Sequence, residues 1–240
     1  MVVKSELKLI KNLQQKKYRN ENGLFVMEGK KAVEELLESG FKAYKIFTTG
    51  QELQGAKAFE VAPISMKELK QISSLKNPNG VLGVFYKKIT TDLKLEGWTV
   101  VLDGVQDPGN LGTIIRLCDW FGIENLICSK ETVDCYNPKV LQATMGSIAR
   151  VTIFYTDLTN FLNATKVPVY GTFMEGENIH KTNLPENGIL ILGNEGNGIS
   201  DTVRKLCDYE VSIPQFGKKT TESLNVATAT AIFLNEIKRK

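Results

Sequence analysis

Three polar clusters in the second half of the chain hold the residues that could do chemistry. The first is Asp103-Gly104-Val105-Gln106-Asp107-Pro108-Gly109-Asn110, with Arg116 six residues beyond it in an apolar stretch. Ile114, Ile115 and Leu117 surround Arg116 in sequence, which predicts a partly buried guanidinium, and a charge drawn out of water requires partners. The second cluster is Gly193-Asn194-Glu195-Gly196-Asn197-Gly198, whose glycines let a main chain come close to a ligand. The third, Ser223-Leu224-Asn225, stands at the mouth of an apolar run that reaches Ile237, and Ser223 reads as the N-cap of that helix. Amides and a guanidinium in such places can orient a substrate and stabilise negative charge as it develops. Other chemistries are disfavoured. The first βα turn of this half reads Gly109-Asn110-Leu111-Gly112, not the glycine pattern of a dinucleotide site, and no P-loop occurs. The single histidine, His180, lies in a polar loop, and Cys118, Cys128, Cys135 and Cys207 lack C-x-x-C spacing. Neither a metal site nor a Ser-His-Asp triad is expected.

The elements that must position these clusters alternate. Short apolar runs at 99–102, 125–128, 151–154, 168–172, 189–192 and 211–214 read as strands. Helical segments at 111–121, 138–145, 200–206 and from 223 onward lie between or after them. The alternation predicts a parallel sheet covered on both faces. The clusters then fall beyond the carboxyl ends of strands, where open α/β sheets bind ligands. The first half reads as a smaller α/β module. It has a helix over 4–17, a polar turn at Arg19 and Asn20, strands near 24–29, 43–48, 57–62 and 81–86, and helices through Val33 and over 66–72. The polar stretch 87–97 reads as a linker, giving domains 1–90 and 96–240.

Charge separates the halves. Residues 1–90 hold 16 Lys/Arg against 9 Asp/Glu, and residues 91–240 hold 14 against 18. That asymmetry predicts a basic nucleic-acid-binding module joined to a near-neutral body. No apolar run approaches the roughly 20 residues of a membrane span, and no signal-peptide core follows Met1. A soluble, cytoplasmic protein is expected.

Taken in order, the three clusters resemble the motifs of the SpoU (TrmH-type) family of RNA ribose 2′-O-methyltransferases over residues 100–237. They are N-x-x-x-x-x-R at Asn110 and Arg116, L-G-N-E-G at 192–196, and I-P…S-L-N-V over 213–226. The first half is similar to the family's substrate-binding domain, through F-V-M-E-G at 25–29 and N-P-N-G-V-L-G-V at 77–84. The chain departs from the pattern at 217–223, a longer loop than usual, and at Gln215, where methionine is commoner. The resemblance implies a small α/β sandwich that binds RNA, followed by a knotted (trefoil) α/β methyltransferase domain with a mostly parallel sheet. It implies S-adenosylmethionine held by main chain at Leu192, Gly193, Ile213 and Leu224, no metal, and a homodimer with the site at its interface. The methyl acceptor would be a ribose 2′-hydroxyl of ribosomal RNA, or of transfer RNA. The resemblance makes Arg116 the general base, helped by Asn110, Glu195, Ser223 and Asn225. Arginine's ordinary pKa lies far above neutral pH, which makes that demanding. A charged clamp on phosphate and developing alkoxide is the easier role, and both stay open. The alternative to catalysis is a silent RNA-binding assembly factor on the same fold; the complete set of five polar residues favours catalysis.

Overall fold

Leu7, Ile10 and Leu13 line one helical face, but the expected helix over 4–17 breaks in two. In the computed structural model, which describes residues 3–88, 93, 95–218 and 222–239, α1 (Lys4–Asn12) and α2 (Lys16–Asn22) are separated by an extended Gln15 at φ −99°, ψ 136°. Arg19 therefore lies inside α2 and not in a polar turn. It is only 2% exposed, with Nε and Nη2 donating to Asp134 Oδ2 at 3.0 and 2.6 Å and Nη1 donating to the carbonyls of Leu13 and Gln14. Four hydrogen bonds engage four of the fork's five donors, which is why the burial is tolerated.

The chain forms two compact units, Met1–Ile89 with Asp134–Ala149, and Thr90–Val133 with Arg150–Lys240. After α2, the first unit contains β1 (Leu24–Glu28), α3 (Lys30–Glu38), β2 (Ala43–Thr48), β3 (Val61–Pro63), α4 (Met66–Ile72) and β4 (Val81–Tyr86). Its sheet runs β1-β4-β2-β3, with β4 antiparallel to both neighbours and β3 parallel to β2. The third strand is shorter than the expected 57–62: Ala56–Ala58 closes a 3₁₀ turn, leaving three residues to pair at the edge. A capping box between Ser65 and Glu68 starts α4. Ile10, Leu13, Val26, Phe47, Leu69, Leu82 and Val84 fill the core beneath.

The second unit opens with β5 (Trp98–Asp103), α5 (Pro108–Trp120) and β6 (Asn125–Ser129). Proline at the first helical position and an Asp107 cap that accepts from the Asn110 amide start α5 earlier than the apolar pattern predicts. The segment Asp134–Ala149, which carries α6 (Pro138–Thr144), then packs within the first unit. There the Tyr136 ring lies 4.5 Å from that of Phe25. The chain continues through β7 (Thr152–Thr156), α7 (Leu158–Ala164), β8 (Val169–Asn178), β9 (Gly188–Gly193), α8 (Asp201–Arg204), β10 (Tyr209–Ser212) and α9 (Val226–Lys238). α7 has no counterpart in the sequence reading, because its seven residues show too little apolar period; Asp157 caps it. β8 runs six residues past the expected strand and carries a register shift against β10. All six strands are parallel in the order β10-β8-β9-β5-β6-β7. β5, β6 and β9 are buried along nearly their whole length, as strands covered on both faces must be.

Residues 89–92 and 94 of the expected linker, and 219–221 of the loop before α9, lie outside the described residues. Among the described residues no helix is long and apolar enough to cross a membrane, and no cluster of His, Cys, Asp and Glu could hold a metal.

Candidate functional site

Three of the five polar residues singled out in the sequence meet at the carboxyl edge of the parallel sheet. The cap of α9 is Asn225, not Ser223: its Oδ1 accepts from the amides of Ala227 and Thr228 at 3.0 and 3.2 Å. That assignment orients everything after it. With Oδ1 occupied by two donors, the Asn225 amide nitrogen faces Asn110 and donates to its Oδ1 at 2.8 Å. Asn110 must then present its own amide nitrogen on the other side, where it donates to Glu195 Oε1 at 2.9 Å. The polarity of the chain Asn225–Asn110–Glu195 thus follows from backbone donors whose sense is certain.

Glu195 also accepts from the amides of Gln106 and Asp107, each at 3.2 Å. Burial works to raise its carboxyl pKa. The Asn110 amide and these backbone donors outweigh it, and hold the group below the usual glutamate value. Glu195 is accordingly a fixed carboxylate that orients Asn110. One residue each from the first turn of α5, the loop after β9 and the start of α9 builds the strut, across sequence separations of 85 and 115 residues.

Arg116 stands apart. It is exposed, not half-buried as the apolar neighbours predict, and makes no hydrogen bond or ion pair among the described residues. The reason is helical phase: Ile114 and Ile115 turn inward, while Arg116 shares the outer stripe with Thr113 and Trp120, the last 83% exposed. Ser223 is exposed and likewise has no hydrogen-bond partner among the described residues.

The loop after β9 is closed tightly on itself. Asn194 and Gly198 exchange both main-chain hydrogen bonds at 2.9 Å. The Asn194 side chain accepts from the amides of Gly196 and Asn197 and donates to the Gly104 carbonyl at 2.7 Å. A Cβ at Gly193 would stand 2.1 Å from the Gly198 carbonyl carbon, so only glycine fits there. Asn194 is the residue the sequence reading passed over; an Asn inside a glycine loop is a signal for this side-chain turn. Leu192 is buried, Ile213 half-buried and Leu224 48% exposed. Gly193 and Ile213 end or follow parallel strands and therefore share the carboxyl edge. Phe216, between Ile213 and Leu224 in the chain, is 91% exposed.

The chain thus has a parallel α/β unit with a polar constellation beyond the ends of its strands, and a separate mixed-sheet unit. The description SpoU rRNA methylase family matches residues 97–235, and that of an MRM3-like substrate-binding domain matches residues 4–83. The chain belongs to the SpoU rRNA methylase family. It is 29% identical over 240 residues, 95% of its length and 94% of the relative's, to the 23S rRNA guanosine 2′-O-methyltransferase RlmP of Bacillus subtilis (strain 168). A solved TrmH-family structure from Porphyromonas gingivalis superposes with a TM-score of 0.93 at 35% identity, covering 100% of this chain and 99% of that one. An AdoMet-bound rRNA methyltransferase from Sinorhizobium meliloti superposes with a TM-score of 0.91 at 30% identity, covering 100% and 96%.

Proposed function

We propose that this chain methylates a ribose 2′-hydroxyl of 23S rRNA, with Arg116, Asn110, Glu195, Ser223 and Asn225 as the reacting and orienting groups. The enzyme class is the family's: an S-adenosylmethionine-dependent RNA methyltransferase. The relative RlmP is named for 23S rRNA and the Sinorhizobium meliloti relative was solved with AdoMet bound. The observation that carries the site is the pair of hydrogen bonds joining Asn225, Asn110 and Glu195 across three segments of the chain.

The main chain at Leu192, Gly193, Ile213 and Leu224 would hold the cofactor. When bound, it supplies a methyl group already activated on a sulfonium centre. The chain's own residues then have two tasks, to align the ribose oxygen and to manage its proton. Alignment alone is worth several kcal/mol of barrier, of the roughly 7–11 that good positioning can reach. Asn110 and Asn225, locked by Glu195 and by the cap of α9, present a rigid polar wall rather than mobile side chains. Arg116 carries a guanidinium, a planar fork of five donors. It serves as a clamp on the acceptor's phosphate and the developing alkoxide. Ser223 supplies a hydroxyl without a competing partner among the described residues.

Arg116 sits on an outer stripe with Trp120 and not in the Asn110–Glu195 strut, which supports a homodimer. A second copy covering Thr113, Arg116 and Trp120 would bury an exposed indole and bring the guanidinium to a site. Trp120→Glu is expected to leave a monomer by sedimentation and to lose methyl transfer; a dimeric, active W120E overturns the Thr113–Arg116–Trp120 face as the seam, and a monomeric wild-type protein overturns the dimer. The knotted path that the resemblance implies fits the order β10-β8-β9: after β10 at one edge, the chain must return to pack α9 against α5 and β9. Domains 1–90 and 96–240 are kept as an RNA-binding module and a methyltransferase domain. A cytoplasmic location follows from a ribosomal substrate. The direct test is incubation of the protein with S-adenosylmethionine and 23S rRNA, scoring alkali-resistant ribose positions. One new resistant position is expected; none, from protein that binds the cofactor, overturns the reading.

A further inference from the structure

Two tyrosines of the first unit's sheet are exposed and paired with each other. Tyr44 in β2 is 41% exposed and Tyr86, the last residue of β4, is 39% exposed. Their rings lie 6.1 Å apart at 74°, an edge-to-face pair that leaves ring surface open to solvent. Lysines frame them. Lys42 Nζ lies 5.4 Å from the Tyr86 ring centre, Lys88 Nζ 4.2 Å from that of Phe41, and Lys87 Nζ 5.3 Å from that of Tyr136. Lys42 and Lys88 are exposed. Polar contacts of Lys87 and Lys88 are with Asn20 Oδ1 and the Ser39 carbonyl, and no carboxylate pairs with Lys42, Lys87 or Lys88 among the described residues. Burial depresses the pKa of both Lys87 and Lys88, a penalty that an arriving anion would relieve.

We propose that Tyr44 and Tyr86, with Lys42, Lys87 and Lys88, form a stacking platform for a single-stranded stretch of the RNA substrate. Flat aromatic faces accept unstacked bases of any identity, while the ammonium groups beside them meet the phosphates that join those bases. The surrounding charge selects an anionic occupant. The aromatic faces select exposed bases over duplex, whose bases are already stacked on one another. This inference rests on the RNA reading above and adds the surface that holds the strand.

The test uses the full-length protein. Tyr44→Ala and Tyr86→Ala should each weaken binding of short oligouridine by about 5- to 150-fold, the range for loss of one stacked base. The KM for 23S rRNA should rise, with kcat at saturating RNA and S-adenosylmethionine affinity unchanged. Tyr44→Phe and Tyr86→Phe should behave as wild type, since the ring and not the hydroxyl stacks. Lys42→Gln and Lys88→Gln should each reduce the slope of log affinity against log salt by about 0.7. Wild-type oligouridine affinity and KM in folded Tyr44→Ala/Tyr86→Ala protein overturn the proposal alone. So does competition by duplex RNA equal to that of single strands, or a platform whose loss affects a protein contact and not RNA. Wild-type protein that neither binds nor methylates RNA overturns the functional reading beneath it as well.

Discussion

Arg116 and Glu195 carry opposite charges in one motif set, and their surroundings divide the work between them. The carboxylate is spoken for by three donors, whereas the guanidinium has no partner among the described residues. If Arg116 acts as a cationic clamp, Arg116→Lys should retain measurable turnover with the parent's pH–rate profile, because the charge remains and only the bidentate fork is lost. As a general base it would shift that profile, since lysine's ordinary pKa is lower, about 10.4. Arg116→Ala should lose most turnover under either role yet still bind cofactor. Single-turnover methyl transfer between about pH 6 and 10 separates the roles, and a fully active alanine variant would sink both. For Glu195 the sign is set by its depressed pKa. A carboxyl held lower in the folded state than in the unfolded one stabilises above the unfolded value, near 4.3, and that stabilisation fades as pH falls through the folded value. Glu195→Gln should therefore be less stable than wild type at neutral pH, with the gap in melting temperature closing on acidification. Parallel melting curves for the two proteins down to about pH 3 would contradict this.

One helix start does two jobs, and they can be separated. Asn225 caps α9 through its oxygen and holds Asn110 through its nitrogen. Asn225→Ser keeps an oxygen for the cap and has no amide for Asn110, so it should melt within a few tenths of a kcal/mol of wild type while losing methyl transfer. Asn225→Ala should lose activity and also about 0.5–2 kcal/mol of stability. Equal activity in the serine and wild-type proteins would remove the strut from the mechanism. The turn after β9 behaves differently. Any side chain at Gly193 meets the Gly198 backbone, so Gly193→Ala distorts the loop itself. Its loss of cofactor binding should come with a stability cost of about 1–3 kcal/mol, read as a lower melting temperature. A cofactor-dead variant with an unaltered fold is not available at that position.

Across the whole chain, the Asp134–Ala149 segment joins a unit whose other residues all precede residue 90. Its anchor is the Arg19–Asp134 pair, with side chains 2% and 9% exposed. Asp134→Ala leaves a buried guanidinium without its counter-charge, which typically costs about 3–5 kcal/mol. Arg19→Met with Asp134→Leu should recover most of that, because removing both charges also removes the cost of burying them. Chemical denaturation of the two variants measures the difference. Stability unchanged by Asp134→Ala would mean that water reaches Arg19. The same pair predicts that residues 1–90 alone lack a partner for Arg19 and cover for Phe25. A fragment meant to carry the RNA-binding function should therefore be judged on its folding first.

Patterns that depend only on neighbours in sequence were legible from the residues themselves. The apolar runs of β5, β6 and β9 announce a buried parallel sheet, because strands covered on both faces cannot alternate. Glycine and asparagine in the loop after β9 announce a tight turn, because few other residues adopt that backbone. The order of Asn110 with Arg116, then Glu195, then Ser223 with Asn225 identifies the family. What tertiary structure alone decided are the properties set by residues far apart in the chain. Arg19 looked like a solvated turn residue until Asp134, 115 positions away, came within 2.6 Å. Arg116 looked half-buried until helical phase turned it outward beside Trp120. Ser223 looked like the cap until Asn225 took the helix amides with one end of its side chain and Asn110 with the other. Burial and hydrogen-bond partnership depend on which distant segment arrives, and local sequence carries no record of that.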